Sequence, residues 1–236
     1  MIFKVGIENN VEGRSLAWVL DYPGCFAYGK SESAALQAAP QAIWDYAGWL
    51  DRHNPGRSWL EPDTIELNLQ GRWEVYSIDE NFEVAPKGYE VNAWFQDDWR
   101  PLSLLDIERG VQLLSWSRED LIDTVRGLDK STLEVQRPGE RWNIEGILKH
   151  VANAEWWYLD RLGLAFPREE VPKDYLERLE AVRAHLFSAL PKMAGVKQVV
   201  GVDGEFWSPR KLLRRAAWHE LDHLGHIRSL LAPLAP

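Results

Sequence analysis

The chain has 236 residues, of which 45% are hydrophobic and 27% charged, and its formal net charge is -9. This composition is typical of a folded globular protein rather than a disordered one. The negative charge argues against nucleic-acid binding through a basic surface. The single cysteine, Cys25, excludes an intrachain disulfide and indicates a reducing compartment, so we expect a cytoplasmic protein.

Targeting and membrane signals are not found in the sequence. The first residues lack the charged start and apolar run of a signal peptide. No stretch approaches the roughly 18 consecutive apolar residues of a transmembrane helix. The 13 tryptophans indicate large-area core packing, with an aromatic-lined ligand cavity as the alternative.

The first 95 or so residues predict a small α+β domain. Short strand patterns, separated by turn residues, occur before and after one helical segment. The predicted strands are 2–8, 14–21, 25–28, 64–78 and 89–96. The first four of these strands and the helix follow the order β-β-β-α-β.

The helix of this domain has a clear start. Ser31 is a typical N-cap, and apolar side chains at helical spacing continue to about His53. Pro40 lies inside this stretch, so a kink or a break into two helices is possible there.

From about residue 102 the pattern changes to long helices. The predicted helices are 104–128, 143–159, 174–190 and 208–231. Four helices indicate an all-α bundle, in which metal sites form from side chains on facing helices. We place the boundary near 96–103, which gives an N-terminal domain of 1–98 and a bundle domain of 103–236.

The last predicted helix contains the pattern H-E-x-x-H, formed by His219, Glu220 and His223. Residues four apart share one helix face, so the two imidazoles can bind one metal ion. Zinc peptidases use the glutamate of this motif as a general base. Here only 13 residues follow His223, without Asp or Glu, so a third ligand must come from upstream. A buried, hydrogen-bonded histidine pair is the alternative.

His150, inside the second bundle helix, is the best third ligand by position, although a lone helical histidine is often only a core or surface residue. Three imidazoles would leave one position of a tetrahedral ion open. They suit a divalent transition metal ion: Zn or Ni first, then Mn, Fe or Cu. Glu220 and Asp222 are candidate catalytic carboxylates that could orient ligands or move protons, and Glu220 is equally well explained as a surface residue.

Four cations open the last helix, where the helix dipole disfavours positive charge. They are Arg210, Lys211, Arg214 and Arg215. Salt bridges to the rest of the chain are one explanation. The other is an anion-binding rim formed by Arg210 and Arg214, which would suit a carboxylate-bearing substrate or thiol.

Two segments of the helical half resemble the DinB/YfiT-like four-helix bundles. Residues 142–157 (WNIEGILKHVANAEWW) are similar to the second-helix signature of that family, and 218–227 (WHELDHLGHI) to its last-helix signature. The resemblance covers roughly residues 103–236. It implies a metal triad of His150, His219 and His223. It also implies a transferase or isomerase that uses a low-molecular-weight thiol, whose pKa the metal would lower.

Residues 21–31 (DYPGCFAYGKS), followed by an alanine-rich helix, resemble the HicB-like domain of antitoxins. This resemblance covers about residues 1–55. It places Cys25 at a strand turn rather than in the role of a nucleophile. No DNA-binding segment is evident, so an accessory or interaction module is the implied role.

The sequence therefore predicts an α+β chain: a HicB-like domain followed by a DinB-like bundle. We expect a metal-dependent enzyme that acts on a small molecule and transfers a thiol. The alternatives are a hydrolase that uses metal-bound water, with Glu220 or Asp222 as base, and a non-enzymatic binding or regulatory protein. We expect neither nucleic acid nor a membrane as partner, and a homodimer is left open.

Overall fold

The computed structural model describes residues 1–232. It contains two compact units. The first comprises Met1–Pro101 and Lys197–Arg214, and the second comprises Leu102–Val196 and the described residues from Arg215 onward. The segment Lys197–Arg214, which the sequence analysis places within the bundle domain of 103–236, thus packs with the first unit. Lys211 and Arg214 of this segment are buried and pair with Glu205 and Asp98 of that unit.

The first unit is built on a four-stranded sheet and one long helix. Strands β1 (Ile2–Val11), β2 (Arg14–Val19) and β3 (Phe26–Gly29) are antiparallel neighbours, and β4 (Glu66–Glu74) pairs in parallel with β1. The sheet order is therefore β3-β2-β1-β4. The predicted β-β-β-α-β order is confirmed, whereas the HicB-like assignment stays a prediction.

Helix α1 (Glu32–His53) covers this sheet. Ser31 caps it as predicted, because its Oγ accepts a hydrogen bond from the backbone N–H of Ala34 at 3.3 Å. The helix continues through Pro40 as one element. Its small buried residues pack against β1, β2 and β3, and the cluster comprises Val5, Ile7, Ala17, Ala27, Ala35 and Ala39.

Two predicted strands are shorter than the pattern indicated. The segment 64–78 is divided into β4 and β5 (Tyr76–Ile78), and β5 pairs with β6 (Val84–Ala85) and β7 (Tyr89–Val91) in a second sheet. The segment 89–96 ends as a strand at Val91. A carboxylate oxygen of Asp98 accepts a hydrogen bond from the Phe95 N–H at 2.9 Å, which favours a turn over continued strand.

A hairpin that the sequence analysis does not predict precedes the last helix. It consists of β8 (Val200–Val202) and β9 (Glu205–Trp207). Asp203 and Gly204 between them have φ values of 51° and 74°. An Asp-Gly pair with positive φ at both residues is the usual two-residue hairpin turn, and it was the available signal.

The second unit is a helical bundle. The other α-helices within residues 1–232 are α2 (Leu104–Val125), the short α3 (Lys130–Glu134), α4 (Ile144–Arg161), α5 (Tyr175–Ala189) and α6 (Pro209–Leu231). Asn143 and Asp174, the first residues of the second and third predicted bundle helices, are the N-caps of α4 and α5. The core combines residues from all four long helices, among them Leu121, Leu148, Leu179 and Leu224. Within residues 1–232, none of the helices is both long and apolar enough to cross a lipid bilayer.

Gly29 is a position where the fold requires glycine. A β-carbon there would overlap the backbone of Ala34 and Ala35 at the start of α1. Replacement by Ala forces strand and helix apart, so we expect Gly29→Ala to lower the free energy of unfolding by about 1–3 kcal/mol. Urea denaturation followed by tryptophan fluorescence measures this loss.

Gly48, within α1, is the matched control, because the atom nearest to a β-carbon added at this position is 3.8 Å away. Gly48→Ala should stabilise the helix by about 0.5–1 kcal/mol. Equal stability of wild type and Gly29→Ala would contradict the proposed clash.

Candidate metal centre

Three histidines meet inside the bundle. His150 lies on α4, and His219 and His223 lie one turn apart on α6. The Nε2 atom of His219 is 3.0 Å from that of His150 and 3.2 Å from that of His223. One ligand atom from each of the three residues lies within 4.8 Å of the others. The structure thus brings together all three predicted ligands.

Burial keeps these imidazoles neutral. It lowers the pKa of His150 to about 4, with a contribution from the charge of Arg141. The pKa of His223 falls to about 3, and that of the deeply buried His219 lies well below its ordinary value, again chiefly because of burial. All three rings are therefore neutral at pH 7, which is the form that binds metal ions.

The spacing of the three nitrogens fits a metal ion. Zn–N distances of about 2.0–2.1 Å in a tetrahedral site separate neighbouring ligand nitrogens by about 3.3 Å. The observed separations of 3.0 and 3.2 Å are close to this value. One nitrogen with a single proton cannot satisfy two neighbouring nitrogens at once, so hydrogen bonding alone explains the cluster poorly. In addition, the other ring nitrogen of His223, Nδ1, is buried and makes no hydrogen bond.

Aromatic rings surround the histidines and limit their movement. Trp142 stacks on His150 with ring centroids 4.3 Å apart. Tyr158 and Trp218 lie against His219, with centroids at 6.0 and 5.7 Å. These contacts fix the ring orientations and reduce the access of water to the cluster.

Glu220, the glutamate of the H-E-x-x-H pattern, makes different contacts from those of a general base. It is 1% exposed, and its carboxylate accepts hydrogen bonds from Ser117, Arg118 and Arg183 at 2.5–2.6 Å. Burial alone would raise the pKa of Glu220, but the two guanidinium charges lower it to about 2. A carboxylate held in this way is a weak proton acceptor.

Glu220 belongs to a buried ion cluster, which we call the four-charge cluster. Its members are Arg118 on α2, Glu155 on α4, Arg183 on α5 and Glu220 on α6. Arg183 forms a bidentate pair with Glu155 at 2.8 and 2.7 Å and also donates to the Leu114 carbonyl. The sequence analysis does not predict this cluster. The available signal was a charged residue on an apolar helix face, such as Arg183 between Leu179 and Leu186.

Asp222, the second candidate catalytic carboxylate, lies next to His223 on α6 and is partly buried. It is not one of the three residues that form the possible metal cluster. Its catalytic role stays a prediction.

The predicted anion rim, Arg210 and Arg214, lies in the first unit, and both side chains contact protein acceptors. Arg210 is 4% exposed and donates to the carbonyls of Arg100 and Pro101. Arg214 is 3% exposed and forms a bidentate pair with Asp98 at 3.0 and 2.7 Å. An anion rim requires accessible guanidinium groups, so the structure favours the salt-bridge explanation instead.

The remaining histidines lie outside the cluster. Nε2 of His226, one turn beyond His223, is 2.8 Å from the Glu140 carboxylate. Nε2 of His185 is 2.7 Å from the Leu164 carbonyl oxygen. His53 packs edge-on against Trp49 at the end of α1.

A helical bundle with a central three-imidazole cluster is the class of structure that these observations define. Residues 113–227 match the protein-family model described as the DinB superfamily, so the helical half carries a domain of that kind. A solved structure titled "Crystal structure of TT2238, a four-helix bundle protein" is 26% identical; the match covers 52% of this chain and 98% of that one, with a TM-score of 0.43. The comparison with curated proteins finds no match.

The four-charge cluster gives a test of how the bundle is held together. Arg183→Met leaves two buried carboxylates with one cation, and the loss of one partner of a buried pair costs about 3–5 kcal/mol. We expect this loss in the free energy of unfolding, measured by urea denaturation.

The control is Arg126→Met, because Arg126 pairs with Asp123 on the surface, where their side chains are 72% and 52% exposed. Exposed pairs contribute about 0–1 kcal/mol. If both variants lost the same small amount, the cluster would not stabilise the bundle as described.

Proposed function

We propose that this protein is a metal-dependent enzyme that acts on a small molecule, with His150, His219 and His223 as the ligands of one divalent transition metal ion. The observation that carries the proposal is the convergence of three neutral imidazole nitrogens from α4 and α6. Imidazole ligands favour Zn or Ni, with Mn or Fe as further candidates.

The chemistry follows from the ligand set. A divalent ion held by these three imidazoles would supply Lewis-acid chemistry and would lower the pKa of a bound thiol or other protic ligand. The surrounding rings of Trp142, Tyr158 and Trp218 hold the imidazoles in place and exclude water. The reaction that we propose first is the transfer of a low-molecular-weight thiol to a small electrophile, as the similarity to the DinB superfamily suggests.

Hydrolysis is less well supported than thiol transfer. A hydrolase needs a base that takes a proton from water near neutral pH. The pKa of Glu220, about 2, makes it a poor base, and its oxygens accept hydrogen bonds from Arg118 and Arg183. A hydrolytic mechanism would therefore depend on Asp222.

For the first unit we propose an interaction role. Its strand and helix order agrees with the HicB-like resemblance. Within residues 1–232, the triad of the second unit is the one group of histidine, cysteine and acidic residues that could hold a metal ion. For this reason we propose that the chemistry takes place in the bundle.

Metal content tests the proposal directly. Protein purified without an affinity tag and measured by inductively coupled plasma mass spectrometry should contain about one transition metal ion per chain. His150→Ala and His223→Ala should lose it, because two imidazoles hold a divalent ion much more weakly than three. Circular dichroism checks that the variants remain helical.

His185→Ala is the matched control, because His185 lies outside the cluster and contacts Leu164. It should retain the metal of the wild type. Full metal content in a folded His150→Ala variant would refute the triad. Metal-dependent turnover of an electrophile only when a thiol is supplied would support transfer, and turnover without thiol would support hydrolysis.

A further inference from the structure

The three proposed ligands of the metal ion carry no negative charge. Three neutral imidazoles leave both charges of a divalent ion uncompensated. Glu155 and Glu220, the two buried carboxylates among the described residues of the second unit, already pair with Arg118 and Arg183. Metal ligands of the histidine type are often supported by a carboxylate on the second ring nitrogen. Nδ1 of His223 instead makes no hydrogen bond and is buried.

Positive charge lies beside the cluster. The guanidinium carbon of Arg141 is 4.3 Å from the centroid of Trp142, the ring that stacks on His150. Arg141 itself is exposed and can therefore reach a ligand that enters from solvent.

A second guanidinium, that of Arg215, acts on the other helix of the site. Its carbon is 4.5 Å from the centroid of Trp218, whose ring lies against His219. Arg141, just before α4, and Arg215, on α6, thus place cations beside the two tryptophans that contact the imidazoles.

An apolar cavity adjoins the same tryptophan. Its volume is about 140 Å³, and its walls include Val135, Trp142, Ile144 and Leu230, with the cation Arg137 at the lining. Trp142 thus contributes both to this cavity and to the stack on His150. A ligand that contacted both Arg141 and this cavity would need a charged end and an apolar body.

We propose that the substrate of this site is a small organic monoanion, a carboxylate with an apolar body, whose charged end is bound beside Arg141 and whose apolar part occupies the cavity next to Trp142. This inference rests on the proposed metal site and names its substrate class. The anion-binding group that we propose is thus Arg141, which is exposed and lies next to the triad, and not the rim of Arg210 and Arg214 that the sequence suggested.

Benzoate and benzamide are suitable probes because they have the same shape and differ in charge. The protein is loaded with Co²⁺, and the visible absorption of the bound ion is followed during titration with each probe. We expect benzoate to bind at least tenfold more tightly than benzamide. Arg141→Met should weaken benzoate binding at least tenfold without changing the cobalt content, whereas the exposed Arg126→Met should leave both unchanged.

Val135→Trp tests the cavity, since Val135 is 53% exposed and its replacement does not disturb the core. It should weaken the binding of benzoate but not of acetate, which lacks the apolar body. Equal binding of benzoate and benzamide, or unchanged affinity in Arg141→Met with cobalt bound, would refute the anionic substrate while the metal site stands. Equal affinities for acetate and benzoate would refute the role of the cavity. Failure of the wild type to bind cobalt would refute the proposed function, and this inference with it.

Discussion

The bundle depends on the four-charge cluster, because each of its four long helices contributes one charge. A buried charge without a partner costs several kcal/mol, so the helices can pack only in a register that brings Arg118, Arg183, Glu155 and Glu220 together. The pairs link residues up to 102 positions apart in the sequence. Apolar contacts alone would tolerate a helix that slides or rotates; these charge pairs do not.

The position of the three imidazoles follows from this register. Glu220 directly follows His219 on α6, and Glu155 lies on α4, the helix that carries His150. Fixing the two carboxylates against Arg183 also fixes the two helices that carry the histidines. The glutamate of the H-E-x-x-H pattern therefore supports the architecture of the site. In a zinc peptidase with the same motif, the glutamate would instead act as the general base.

What the sequence could predict was largely local. The caps at Ser31, Asn143 and Asp174 and the spacing of His219 and His223 are patterns within a few residues, and the elements built on them agree with the structure. The choice of His150 as third partner came from the family resemblance as well as from position. The sequence could not predict which charges pair across the chain, because no local pattern indicates which cation contacts which carboxylate. For this reason the sequence did not identify the partners of Glu220 or of the four cations of the last helix.

The membership of Lys197–Arg214 in the first unit affects the order in which the chain can fold during synthesis. Asp98 forms a buried ion pair with Arg214, and Glu205 forms one with Lys211. The ammonium group of Lys211 also lies over the ring of Trp207. The ribosome delivers Asp98 well before its cation, which follows 116 positions later. Until Arg214 is available, the carboxylate of Asp98 must stay hydrated. The first unit therefore begins to emerge early but reaches its final packing late. A nascent chain would therefore expose the apolar surroundings of Asp98, including Phe95, until Arg214 has been added, and chaperones act during this period.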